Sequence, residues 1–239
     1  MIRRLYSQAG QDLWVMRDVF GYRTGGYFVE IGAAEGTELS NTFALERYLQ
    51  WNGVCIEPDP AAFERLRHNR RCRCLNICLD AQKGEVDFTI GEGFYGGIVA
   101  PDTDNSSADR GNIRVAATTF AELIDEQDIP RTIDYLSIDV EGAEDRVMAT
   151  FPFRTHRFLA ATIERPSPEL RRTLSSHGYC LVAELPNLDC FYLHPDVCPS
   201  YNLRACLAAH QRALPPAKRL AAGISWVLRN GVRAALGRM

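Results

Sequence analysis

Residues 28–36 read Phe28-Val29-Glu30-Ile31-Gly32-Ala33-Ala34-Glu35-Gly36, and this stretch decides the fold. A short apolar run carries one acid, stops at a glycine, passes through small residues and stops again at a glycine. That is the pattern of a buried strand turning sharply toward the next element. Gly32 and Gly36 leave room for a tight turn and for a ligand beside the backbone. A dinucleotide site would carry GxGxxG here, with pyrophosphate on the helix N-terminus. The chain has ExGxxxG instead, and Glu35 is poorly placed for a pyrophosphate. An acid at Glu30 suits a ligand with a positive amino group. S-adenosylmethionine (SAM) has an ammonium and a sulfonium and no phosphate.

Two further strand ends extend this reading. Cys55-Ile56-Glu57-Pro58 ends a second apolar run, with Glu57 positioned to accept hydrogen bonds from two ribose hydroxyls. A third run, Cys72 to Leu79, ends at Asp80, which can meet an adenine amino group. Around these runs the pattern alternates between strand and helix. Helices are expected at Asn41–Gln50, Ala61–Arg70, Thr119–Gln127, from Gly142, and at Pro168–His177. Further strands are expected at Gly84–Ile90, Ile133–Val140 and Phe158–Ile163. Tyr179–Leu185 and Phe191–Leu193 form a closing pair around Pro186-Asn187. Repeated strand–helix units predict a mostly parallel sheet covered on both faces, with an antiparallel edge. Residues 91–116 break this rhythm and read as a long surface loop. Within it, Phe94, Tyr95, Asp102, Asp104 and Asn105 are candidates for contact with an acceptor.

Composition narrows the function. The 239 residues are 46% hydrophobic and 24% charged, ordinary for a globular domain with a sizeable core. The net charge of −3 disfavours a nucleic-acid partner. After Asp196 there are seven basic side chains and no acidic one, so the body is acidic and the tail basic. We therefore divide the chain into a domain at residues 1–199 and a tail at 200–239. From Ala217, Leu220, Ile224, Val227, Leu228 and Val232 recur at helical spacing with basic residues around them. Residues 215–239 thus suit an anionic membrane surface, or docking on the body or on a second subunit. The eight cysteines include no CxxC pair, and Cys72, Cys74 and Cys78 are expected to pack on one face. The first residues lack a secretory pattern and no apolar run is long enough to span a membrane. The expectation is a cytoplasmic protein, on the cytoplasmic face of a membrane if the tail binds one.

The chain resembles the FkbM family of SAM-dependent methyltransferases. The resemblance is carried by SQAGQD (Ser7–Asp12), FVEIGAAEGTELSNT (Phe28–Thr42), GVCIEPDP (Gly53–Pro60) and TIDYLSIDVEGAE (Thr132–Glu144). ATIERP (Ala161–Pro166) and FYLHP (Phe191–Pro195) are weaker echoes. The resemblance implies a class I methyltransferase (Rossmann-like) α/β fold, a seven-stranded sheet whose last strand is antiparallel. It implies SAM as the methyl donor and O-methylation of a sugar or glycoconjugate hydroxyl, or of a small lipid or polyketide-type hydroxyl. By the matching motifs, Glu30, Gly32, Ala33 and Gly36 would cradle the methionine part, with Ser40 and Asn41 lining the same pocket. Glu57, with Pro58 after it, would hold the ribose, and Asp80 would face the adenine. Gln8, Gln11 and Asp12 would lie on a lid segment.

For the chemistry, Asp139 and Glu141 share parity at the end of the fourth strand, and Glu164 ends the fifth. Three neighbouring carboxylates leave several readings open. One is a general base whose pKa is raised by like charges. Another is an oxygen-ligand cation site, Mg²⁺ first, that orients substrate hydroxyls. In the third, Asp139 contacts the cofactor while Glu141 and Glu144 are first-turn helix acids. His194 is a further candidate base. A non-catalytic scaffold and a nicotinamide oxidoreductase are the competing classes.

Overall fold

The structure is a computed structural model that describes residues 5–90, 96–105 and 112–197. The main sheet has seven strands: β1 (Tyr27–Ile31), β2 (Asn52–Ile56), β3 (Arg73–Leu75), β8 (Thr132–Ile138), β9 (Arg157–Glu164), β10 (Cys180–Glu184) and β11 (Asp189–Leu193). Their spatial order is β10-β11-β9-β8-β1-β2-β3. All pairs from β3 to β9 are parallel, and β11 runs antiparallel to both β9 and β10. The expected seven-stranded sheet with an antiparallel last strand is therefore present.

Period-two alternation distributes the core. Val29 and Ile31 join Val54, Ile56, Leu136 and Ile138 on one face. That face packs on α4 (Phe120–Glu126), α5 (Glu144–Met148) and α6 (Pro168–Ser176), through residues such as Leu123, Val147 and Leu174. Phe28, Cys55, Tyr135 and Ala160 point the other way. They meet Trp14, Val15 and Met16 of a π-helical turn (Trp14–Val19), and Leu45 of α2 (Phe43–Leu49) and Leu66 of α3 (Pro60–Asn69). Both faces are covered, as a parallel sheet requires. Local chemistry sets the helix starts. Asp59 caps α3 ahead of Pro60, Thr119 and Glu122 form a capping box on α4, and Ser167 caps α6 ahead of Pro168.

Two expectations change. The run Cys72–Leu79 is not one strand: β3 pairs with β2 in the main sheet, whereas β4 (Cys78–Leu79) pairs with β7 (Asn112–Thr118) in a second sheet. Cys72 lies by Cys55 at Sγ–Sγ 3.5 Å, while Cys78 packs in the second sheet's own cluster, so the three cysteines do not share a face. Residues 91–116 are also not all loop. β6 (Gly97–Ile98) and β7 pair antiparallel with β5 (Gly84–Thr89), giving a four-stranded sheet in the order β4-β7-β5-β6. Ile113, Val115 and Ala117 alternate with Asn112, Arg114 and Ala116, a signal masked by the polar run before it. Phe94, Tyr95 and the tail at 200–239 lie outside the described residues. Among the described residues no helix is long and apolar enough to cross a membrane.

Candidate cofactor and active site

A cavity of about 370 Å³ opens at the carboxyl edge of the main sheet. This is where the strand order reverses, between β1 and β8, and where open α/β sheets place their ligands. The end of β1 supplies Gly32, Ala33 and Ala34, and the end of β2 supplies Glu57, Pro58 and Asp59. The ends of β8 and β9 supply Asp139, Glu141, Glu164 and Arg165. Leu79, Phe88 and Ile98 of the second sheet form an apolar wall, and Asn187 and Leu188 of the β10–β11 turn form another. Gln8 and Ser40 complete the rim.

Gly32 has φ +81°, and a β-carbon there would lie 1.8 Å from the Asp139 carbonyl oxygen. Glycine is therefore demanded by the close approach of two chain segments at the cavity floor. Gly36 has φ +82°, and its β-carbon would meet Leu66 and Arg70, so its need is packing against α3. Glu57 accepts from Ala34 N through Oε2 and from Asp59 N through Oε1, both at 2.8 Å. One carboxylate thus ties the turns after β1 and β2 together while facing the cavity. Burial pushes it up to about 7, against the two N–H bonds that favour its charge.

Glu30 has its polar partners on the α2–α3 side, because it shares parity with Phe28. It accepts from Ser40 Oγ, Asn41 N and Thr42 Oγ1, and pairs with Arg70 at 3.0 Å. Both Glu30 and Arg70 are buried, and Arg70 also pairs with Glu46 at 2.9 Å. Glu30 is thereby the hub of the loop that carries Ser40 to the rim. Asn41 donates to Ser137 Oγ at 2.9 Å, and its Oδ1 is buried with no partner among the described residues. Asp80 follows β4 and makes a two-point pair with Arg146 of α5, at 2.8 and 3.0 Å, behind the apolar wall. Gln11 is buried and reaches Asp189 rather than the cavity.

The three carboxylates of Asp139, Glu141 and Glu164 converge, with one oxygen of each within 4.8 Å of the others. Strand parity does not bring Glu141 in: β8 ends at Ile138, and a turn with Glu141 at φ +53° and Gly142 at φ +93° does so. Arg165 lies across them, at 3.0 Å from Glu164, 3.3 Å from Glu141 and 2.5 Å from Asp104. The Asp104 amide donates to the Glu141 carbonyl at 3.2 Å, and its backbone nitrogen would lie 2.8 Å from a β-carbon on Gly142. The segment at residues 101–105 is thus fastened beside the acids. Among the described residues, Asp139 alone of the three has no ion pair. Its side chain is exposed at the cavity, and desolvation by the protein around it, with Glu164, Asp189 and Glu141 nearby, raises its carboxyl above the usual range. Burial and Glu164 also raise Glu141, against Arg165. Glu144 is buried, accepts from Gly142 N at 3.2 Å and is pushed up to about 7 by burial.

His194 is at the opposite edge of the sheet, since β11 runs antiparallel and Leu193 registers with Ala160. It cannot serve this cavity. Sequence reading missed Arg165, although it adjoins Glu164. It also missed Asp189, which only the reversed direction of β11 brings to the cavity edge opposite Glu164.

The fold is similar to that of methyltransferase FkbM from Methylobacillus flagellatus KT, at 14% identity and TM-score 0.51, over 81% of this chain and 48% of that one. The chain thus spans about half the length of that protein. Fainter likenesses are to a precorrin-6y C5,15-methyltransferase from Geobacter metallireducens GS-15 (10% identity, TM-score 0.40, 76% of this chain and 85% of that one) and to a human methyltransferase 10 domain containing protein (9%, 0.41, 81% and 84%). A comparison with curated proteins gives no match. The model of the methyltransferase FkbM domain matches residues 30–181, well over half of the sequence and both sides of the cavity, and the chain belongs to that methyltransferase family.

Proposed function

We propose that the protein is a SAM-dependent O-methyltransferase acting on a hydroxyl of a sugar or glycoconjugate. The observation that carries the cofactor reading is the charge of the cavity. Glu38, Glu57, Asp59, Asp139, Glu141 and Glu164 line it, and Arg165, its one cation among the described residues, is already shared by three carboxylates. A pyrophosphate would meet this field with repulsion, whereas a nucleoside carrying ammonium and sulfonium charges is attracted. Its volume falls in the range of small-ligand sites, roughly 300–1,000 Å³. Glu57 is the residue for the ribose hydroxyls, with one lone pair on each oxygen left beyond its two N–H partners.

When bound, SAM supplies a methyl group made electrophilic by its sulfonium. Asp139 is the residue for the acceptor's proton: it faces the cavity, lacks a competing cation among the described residues, and is a stronger base than an ordinary carboxylate. Arg165 holds Glu141 and Glu164 in place beside it, and Leu79, Phe88 and Ile98 keep one wall dry. The Arg165 guanidinium already pairs with two of the three acids, which favours the base over a Mg²⁺ site. Asp80, held by Arg146, supports the wall at the expected adenine end.

The test is methyl transfer from labelled SAM to a panel of neutral sugars, uronic acids, lipids and polyketides, with the product treated with mild alkali. Label in an alkali-stable ether supports O-methylation of a hydroxyl. Label released as methanol would mean a carboxyl acceptor, and absence of SAM-dependent labelling across sugars, lipids and polyketides would count for a scaffold.

A further inference from the structure

Asp189 is a buried acid whose part so far is only that of a like charge near Asp139. It opens β11 opposite Glu164 in the antiparallel register. Only 5% of its surface is exposed, and burial pushes it up to about 7. An acid in such a place is costly unless its hydrogen bonding repays it. Its carboxylate accepts from Gln11 Nε2 at 2.6 Å. Gln11 in turn accepts from Ala9 N at 2.8 Å, beside Gln8 on the cavity rim.

The other end of this segment is fastened separately. Ser7 forms a parallel bridge with Leu39, which lines the cavity on the β1 side. Asp12 braces the segment from within, accepting from Ser7 Oγ at 2.5 Å and from Tyr6 N at 2.8 Å. Residues 7–11 therefore run from Leu39 to Asp189 as a strap, with Gln8 between the two anchors. Both anchors adjoin cavity walls, Leu39 itself at one end and Asn187 and Leu188 at the other.

We propose that Asp189 is a positioning residue for the cavity: through Gln11 it latches the Ser7–Gln11 strap, and so places Gln8, across the carboxyl edge of the sheet beside Glu164. The latch acts on whatever the cavity holds, and its consequence for SAM rests on the function proposed above. The Leu39 anchor is made by backbone, so the Gln11–Asp189 bond is the end that a side-chain substitution opens.

Backbone hydrogen exchange over residues 5–13 and the calorimetric SAM dissociation constant, measured on the full chain, test this. Gln11→Ala and Asp189→Ala are expected to lose protection in the strap and to weaken SAM about tenfold, the loss of one hydrogen bond. Asp189→Asn retains an oxygen that accepts from Gln11, and is expected to keep strap protection and SAM affinity near those of the wild type. A residue that merely fills space would lower the melting temperature without this selective pattern. Unchanged strap exchange in Gln11→Ala overturns the proposal, as does lost protection with unaltered SAM affinity. If the wild type binds no SAM, the function proposed above fails by itself, and strap exchange in the variants alone decides the latch.

Discussion

Gly32 and Asp139 pack so closely that a β-carbon on the glycine would fall 1.8 Å from the Asp139 carbonyl oxygen. The floor of the cavity is this contact between the ends of β1 and β8. Gly32→Ala meets both the overlap and a φ of +81°. It is expected to cost several kcal/mol, on the order of 2–4, and to abolish SAM binding. Urea unfolding and calorimetry check it; wild-type values in both would mean that the two strand ends are not in contact.

Glu57 connects the neighbouring strand end to the same floor. Glu57→Ala frees two backbone N–H groups, a loss of about 1–3 kcal/mol, and removes the acceptor for the ribose. SAM affinity should fall at least about tenfold. Glu57→Gln should retain part of both, because one oxygen still accepts. Equal SAM affinity in Glu57→Ala would remove the carboxylate from the cofactor site.

Asp139→Asn should lower turnover by about 10²–10⁴ with SAM affinity little changed, because a base is lost and a shape kept. The wild-type rate should rise with pH as Asp139 loses its proton, with a midpoint above the ordinary carboxylate range. Glu164 and Asp189 are among the like charges that raise it. Asp189→Asn removes one of them and should move that midpoint to lower pH. A pH–rate profile with no such shift would separate Asp139 from the proton transfer.

Stability without ligand should fall as pH rises through the range 5 to 7. Glu57, Glu144 and Asp189 are all raised to about 7 by burial. An acid with a raised folded-state pKa binds more protons folded than unfolded between its ordinary value and about 7. Stability is therefore full below the unfolded value and declines toward the folded one, by on the order of 1 kcal/mol per pH unit per group. Denaturant midpoints at pH 5 and pH 8 measure this. A higher midpoint at pH 8 would mean that these acids are charged and well satisfied in the native state.

Arg70→Ala should destabilise by about 3–5 kcal/mol, because Glu30 and Glu46 lose a shared cation, Glu30 while fully enclosed. The loop from Thr37 to Thr42 should loosen with it, detectable as faster amide exchange there.

Sequence order alone predicts the parallel sheet, since the runs at Tyr27–Ile31, Val54–Ile56, Ile133–Val140 and Phe158–Ile163 each end in a turn and precede a helical stretch. The cavity's acids are legible for the same reason, because Glu57, Asp139 and Glu164 end parallel strands of one sheet and so come to the same edge. Glu30 shows where this reasoning stops. Its position beside the turn is evident, but its polar partners depend on strand parity and on Arg70, forty residues away. The closing hairpin behaves likewise: Pro186-Asn187 announces a turn, yet only pairing with β9 shows that Asp189 meets Glu164 and that His194 faces away. Within the second sheet, β5 is legible as a strand, whereas β6 and most of β7 read as loop because β7 follows a polar stretch and pairs with β5 across more than twenty residues.

A calorimetric titration of the full chain with SAM, and separately with NAD, tests the central claim most directly. The acid-lined cavity predicts saturable SAM binding that Glu57→Ala weakens, and no binding of NAD. NAD binding with no heat from SAM would contradict it.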